Sequence, residues 1–181
     1  MKNKIIENIK TIFYALIIAL IIRTFFFQPF YIPSSSMEPN LLVGDRLFVS
    51  KYSYGFSKHS MPFSPNISSR RYLANIPERG DVIVFKTPAD NRTDYIKRLI
   101  GLPGDSIQFI NGNLYINSTQ VEKNKLNLSL EINCGGEILS VTAFEEVLPN
   151  NKKYISVYRT EGTMKNTDRF LVPDNHFFFM G

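Results

Sequence analysis

The chain has 181 residues, and its 21 Lys and Arg outweigh 16 Asp and Glu to give a net charge of +5. A composition of 44% hydrophobic and 20% charged residues is ordinary for a globular protein and excludes wholesale disorder. A single cysteine, Cys134, excludes an intrachain disulfide and reads as a small packed residue.

The first element is an apolar run. Residues 1–10 carry Lys2, Lys4 and Lys10 against Glu7, and Thr11 to Ile22 is uncharged. Arg23 interrupts the run and Phe25-Phe26-Phe27 extends it. A helix over 11–27 would span about 26 Å, a little short of a hydrocarbon core of ~30 Å. Arg23 near the outer end can snorkel to the interface, and Pro29 stops the helix. No small-x-small site follows, which argues against a cleaved leader. An extreme N-terminal helix that is apolar on every face fits a soluble core poorly. The run is therefore predicted to be a single-pass transmembrane anchor. The positive-inside rule places residues 1–10 in the cytoplasm and residues 28–181 across the membrane.

Beyond the anchor lies Ile32-Pro33-Ser34-Ser35-Ser36-Met37-Glu38-Pro39. From Phe27 to Ser36 is nine residues, at most about 30 Å when extended, so these serines are tethered close to the bilayer. The rest reads as an antiparallel β domain with few further helices, and the fold class is mainly β. Short β-branched or aromatic runs occur at Leu47–Val49 and Val82–Phe85. Residues 52–77 read as a long loop, and Arg79-Gly80-Asp81 as a turn feeding the strand at 82–85. Asn111-Gly112-Asn113 between Ser106–Ile110 and Leu114–Ile116 marks a hairpin. Residues 118–170 are polar and mixed, with weak strands at best. Sequons at Asn66, Asn91, Asn117 and Asn127 matter only in a eukaryotic secretory compartment. The basic balance alone does not select a partner, and without a zinc pattern or an aromatic-basic RNA motif no nucleic acid is expected. Lipid proximity explains the charge at least as well, and no cofactor or metal is implied.

A serine nucleophile needs a base. His59 and His176 are the only histidines, and nothing near either marks it. The alternative is a lysine. Lys97 lies in the alternating strand Asp94–Ile100, where Tyr95 and Leu99 share its face while Ile96, Arg98 and Ile100 take the other. Apolar neighbours could desolvate it. A free lysine, with pKa near 10.4, is only about 0.04% neutral at pH 7, whereas a drop of ~3 units, about 4 kcal/mol, leaves a large fraction neutral. The bland reading is a solvated lysine, or one paired with Asp94.

The Ile32–Pro39 segment, Arg79–Phe85 and Asp94–Asp105, in this order after an anchor, resemble the type I signal peptidases. The resemblance covers residues of about 11–116 and a short tail at 172–181. It implies a membrane-bound serine endopeptidase that removes signal peptides from secretory preproteins after small residues (Ala-x-Ala). Ser36 would be the nucleophile and Lys97 the general base. Ser34 would help form the oxyanion hole with the Ser36 N–H, and Ser35 would be a bystander. Ile32, Met37 and Ile96 match positions lining the pocket for substrate Ala, and Asp94 and Tyr95 would position the lysine strand. The expected setting is a monomer in the bacterial inner membrane, meeting signal peptides within the lipid bilayer. Asn40 stands where the family commonly has Thr. In the family a Gly-Asp-Asn-x-x-x-Ser segment follows the strand matched by Phe178–Gly181, so the domain is expected to lack its C-terminal part and to have weakened activity. The alternatives are an inactive homologue that only binds signal peptides, and a cytosolic self-cleaving regulator, which the anchor disfavours.

Overall fold

A computed structural model describes residues 2–61, 70–134, 137–158 and 165–181. The chain divides into two compact units, Met1–Tyr31 with Arg46–Ile76 and Ile32–Asp45 with Pro77–Gly181.

The first unit opens with the helix α1, Lys2–Phe25. Its apolar part, Lys4–Phe25, has 22 residues and is long and apolar enough to cross a membrane. At 1.5 Å per residue the 22 residues rise about 33 Å, of which the turns carrying Lys4, Glu7 and Lys10 extend beyond the uncharged run that starts at Thr11. The sequence reading set the anchor at 11–27, and the helix both begins and ends earlier. Its N-terminal turns include Lys4, Glu7 and Lys10, because charged residues with good helix propensity continue a helix into water. Its end precedes Pro29 by four residues, since Phe27 already belongs to the strand β1, Phe27–Tyr31, paired antiparallel with β2, Arg46–Ser50. Pro29 sits opposite Phe48 in a two-stranded ribbon, where a missing N–H is tolerated. The described residues of 52–76 hold, as the loop reading expects, little regular structure: a 3-10 turn at Lys58–Ser60 and a bridge between Phe56 and Tyr72. Asn66 lies outside the described residues.

The second unit is built of antiparallel sheets. β3 (Val82–Lys86) pairs with β4 (Asp94–Gly101), and β5 (Ser106–Ile110) with β6 (Asn113–Ile116). Asn111 and Gly112 alone make the hairpin turn, with φ of 50° and 75°. Positive φ at both positions is what a two-residue turn of the I′ kind requires. Asn113, read as part of the loop, begins β6. The short β7 (Thr119–Gln120) continues that sheet.

Residues 118–170 depart from the sequence reading. They hold the two longest strands, β8 (Glu122–Cys134, 13 residues) and β9 (Glu137–Val147, 11 residues), followed by β10 (Lys153–Tyr158). Two features hide them. A register shift between Lys125 and Ser129 breaks the alternation in β8, and β9 turns a carboxylate, Glu146, inward at 2% exposure. The side chain of Cys134, expected to be packed, lies outside the described residues. β11 (Phe170–Leu171) and β12 (Phe178–Met180) complete the sheet orders β11-β5-β6-β7, β12-β4-β3 and β10-β9-β8.

The core gathers Ile100, Ile107, Phe109, Leu114, Ile116 and Val172 with neighbouring side chains. One buried carboxylate ties its loops together. Asp105 accepts from Arg79 Nη2 at 2.7 Å, Asn117 Nδ2 at 2.7 Å and the Leu102 N–H at 2.6 Å. Arg79, at the turn before β3, also donates to the Ile100 carbonyl. Burial on its own would raise the Asp105 pKa; the hydrogen bonds and the guanidinium outweigh it and hold the carboxyl below its usual range.

Breaking a buried pair leaves its partner uncompensated, so Asp105→Ala is expected to lower stability by about 3 kcal/mol at pH 7. Because the folded carboxyl has the lower pKa, the wild-type advantage is complete above the unfolded value near pH 4 and shrinks as pH falls through the folded one. Denaturant unfolding in detergent at pH 7 and pH 3 measures both, and equal losses at the two pH values would contradict the linkage.

Candidate active site

The serine segment is a closed loop. Its ends meet through Ile32 N–H to Asp45 O at 3.0 Å and Gly44 N–H to Ile32 O at 2.9 Å. Inside it, Ser35–Met37 form one 3-10 turn, held by Glu38 N–H to Ser35 O at 2.9 Å. Two apolar side chains, Ile32 and Met37, are 2% and 4% exposed. They sink on either side of the three serines and leave Ser34 exposed and Ser36 half-buried. Burying two such side chains contributes roughly 3–6 kcal/mol, enough to fix a loop that has little other secondary structure.

Lys97 arrives from β4. The register sets it opposite Ile83, with Tyr95 opposite Phe85 and Leu99 opposite Phe179. Side chains alternate along a strand, so these six share one face. Phe85 stacks on Phe179 with centroids 4.6 Å apart, which closes that face with aromatic surface. From it Lys97 Nζ makes a hydrogen bond with Ser36 Oγ, joining residues 61 positions apart. Burial alone pulls the Lys97 pKa below the ordinary lysine value. Asp94 does not neutralise it, being engaged with Lys86 Nζ at 2.8 Å.

Ser34 Oγ stands 3.4 Å from Ser36 Oγ, beyond the usual O–H···O range, so the two are neighbours rather than firmly bonded. The Ser36 N–H lies in the first turn of its 3-10 helix, where N–H groups have no acceptor within the turn. Ile96 leaves the face of β4 opposite to Lys97 and is half-buried. His176 Nδ1 sits 2.9 Å from the Asp174 carbonyl oxygen, and His59 belongs to the 3-10 turn of the first unit. Among the described residues no group of three or more His, Cys, Asp or Glu is placed to hold a metal ion.

Sequence reasoning missed several contributors. Gly181 packs against the pair: a Cβ built there would lie 2.7 Å from Lys97 Cδ and 2.9 Å from the Ser36 carbonyl oxygen. Ser36 also opens onto a groove of about 520 Å³ whose lining includes Arg98, Glu146, Tyr154, Phe178 and Met180. At its wall both Tyr154 and Tyr158 donate their hydroxyls to Glu146. Burial and the adjacent carboxylate push both tyrosines up, which keeps them protonated donors. Nothing in the local sequence marks Glu146, because its partners lie across a β-turn on the next strand. Gly181 gives only the signal of a glycine after an apolar run.

A family model for "Signal peptidase, peptidase S26" matches residues 5–181. Signal peptidase I of Rickettsia prowazekii (strain Madrid E) is 38% identical over 177 residues, covering 93% of this chain and 66% of that protein. The Rickettsia bellii (strain OSU 85-389) signal peptidase I is 38% identical over 182 residues, with coverage of 95% and 61%. That of Rickettsia massiliae (strain Mtu5) is 39% identical over 177 residues, covering 93% and 65%. The chain thus spans 61–66% of the length of these relatives. With the serine loop, the lysine strand and the final apolar strand all inside the matched region, the chain belongs to the peptidase S26 family, that of the type I signal peptidases.

Proposed function

We propose that the protein is a membrane-anchored serine endopeptidase that cleaves N-terminal signal peptides from exported preproteins. The observation that carries this reading is the hydrogen bond between Ser36 Oγ and a Lys97 amine held on an apolar strand face. Neutral Lys97 takes the proton of Ser36 Oγ as that oxygen attacks the scissile carbonyl carbon. The Ser36 N–H and the Ser34 hydroxyl then face the oxyanion, a pairing of donors that is worth several kcal/mol in such sites. When the intermediate collapses, the C–N bond breaks and the leaving amine takes the proton from the Lys97 ammonium. Lys97 next removes a proton from water, which attacks the acyl ester and frees the signal peptide with a restored Ser36 hydroxyl.

Ile32, Met37 and Ile96 are the proposed lining of a pocket small enough to prefer alanine, giving cleavage after Ala-x-Ala. In this reading α1 is a single-pass anchor with residues 1–10 in the cytoplasm and residues 28–181 outside the plasma membrane. The excess of lysine before the apolar run supports that orientation. A signal peptide's apolar segment lies in the same bilayer, which raises its effective concentration at Ser36.

Incubating the full chain in detergent or lipid with a preprotein tests the reading. Ser36→Ala and Lys97→Ala are each expected to lower kcat by at least about 10³-fold, as when members of a catalytic unit are removed. Near-normal turnover in Lys97→Ala would sink the dyad, and binding of an Ala-x-Ala peptide without cleavage by the wild-type chain would replace it with a peptide-binding role.

The pH dependence has a defined sign. Lys97 must be neutral, so kcat/KM rises with pH along one limb, and burial sets its midpoint below the free lysine value of about 10.4. A midpoint at or above that value would contradict a desolvated base. Gly181→Ala forces a methyl against Lys97 and the Ser36 carbonyl oxygen; overpacking of about 1–3 kcal/mol predicts a five- to hundredfold lower kcat, read in the same assay.

A further inference from the structure

Ser36 and Lys97 reach each other from different elements, a loop and a strand, so something must hold their separation. Both lead to β10. On the serine side, Asn40 Nδ2 donates to the Ile155 carbonyl of β10 at 2.7 Å, a contact across 115 residues of sequence. Asn40 is itself exposed, so burial does not place it there. It lies one turn beyond Ser36, directly after Pro39, at the apex of the closed loop. On the lysine side, Arg98, the neighbour of Lys97, sets its guanidinium 4.6 Å from the centroid of the Tyr154 ring of β10. Arg98 Nη1 also donates to the Gly80 carbonyl at 2.9 Å.

β10 is fit to act as a reference. Among the described residues it is an edge strand, paired to β9 along all six residues from Lys153 to Tyr158. Glu146 of β9 takes the hydroxyls of both Tyr154 and Tyr158, one on each carboxylate oxygen, which fixes two β10 side chains from beneath. The Tyr154 ring that carries Arg98 is therefore oriented by its own hydroxyl.

We propose that β10 is a brace for the dyad and that Asn40 is a positioning residue, docking the nucleophile loop onto Ile155 so that Ser36 Oγ stays in register with Lys97 Nζ. The proposal rests on the Ser–Lys reading above. Asn40 is among the residues lining the groove beside Ser36, and its proposed action is through the loop it anchors. A neutral hydrogen bond of this kind is felt as a change in the reactive population of the loop rather than in substrate binding.

The test compares wild type, Asn40→Ala and Asn40→Asp as full chains in detergent, with preprotein cleavage and backbone hydrogen exchange measured side by side. Asp keeps the size of Asn and loses the donor. Both variants are expected to lower kcat about five- to tenfold, with KM within twofold. Exchange is expected to speed up at the Glu38 and Leu41 amides and to stay unchanged along β9 and β10. Unchanged kcat in Asn40→Asp would overturn the proposal, as would a loss that appears in KM or that accompanies faster exchange throughout the unit. If the wild-type chain does not cleave at all, the peptidase reading fails by itself. The exchange comparison then decides whether Asn40 holds the loop: equal rates at Glu38 and Leu41 in all three chains would overturn the brace.

Discussion

In the proposed mechanism a lysine amine must lose its proton near neutral pH and still reach a serine hydroxyl, and that requirement accounts for the packing of the second unit around Lys97. Water opposes it, since a solvated ammonium is far more stable than the amine. The chain meets it with a strand face. Ile83, Phe85, Tyr95, Leu99 and Phe179 flank Lys97 in a three-stranded sheet, and the serine loop closes over the exposed end of the side chain. Desolvation and hydrogen bonding thus come from the same packing. Loosening the sheet would hydrate the amine and at the same time move it away from Ser36.

The surroundings follow from that constraint. The serine loop has almost no regular structure, so two buried side chains, Ile32 and Met37, and its joined ends give it a fixed shape. The approach of β12 is limited by space: at Gly181 there is room for a hydrogen and not for a methyl. Behind these, Asp105 ties the turn after β4 to Arg79 in the turn before β3. Glu146 does the equivalent for β10 through two tyrosines. Both are buried carboxylates that organise neighbouring chain, and neither touches the dyad. They differ in their hydrogen-bond donors, a guanidinium for one and two tyrosine hydroxyls for the other.

Legibility in the sequence tracked how local the determining physics was. The apolar run, the Asn111-Gly112 turn and the alternation around Lys97 are properties of neighbouring residues, and each appears in the fold. The apolar run misled only at its ends, where helix propensity carried α1 back through Lys4 and Glu7. Reading β8 to β10 failed because a register shift in β8 and the inward Glu146 break the alternation that marks a strand. The pairing of Ser36 with Lys97 was suggested by motif order and acquired geometry only through tertiary structure. Asn40, Gly181 and Tyr154 had no local signature, because each matters through a residue far away in the chain.

The state of the Lys97 amine is the centre of this account, and it can be observed without any substrate. With lysine side chains labelled by ¹³C at Cε, the signal absent from Lys97→Arg is that of Lys97, and its chemical shift can be followed with pH in the intact chain in micelles. The account predicts a titration midpoint clearly below those of solvated lysines, which lie near 10.4, moving toward them when Ser36 and its loop are unfolded by denaturant. A Lys97 signal that titrates together with the solvated lysines would contradict it.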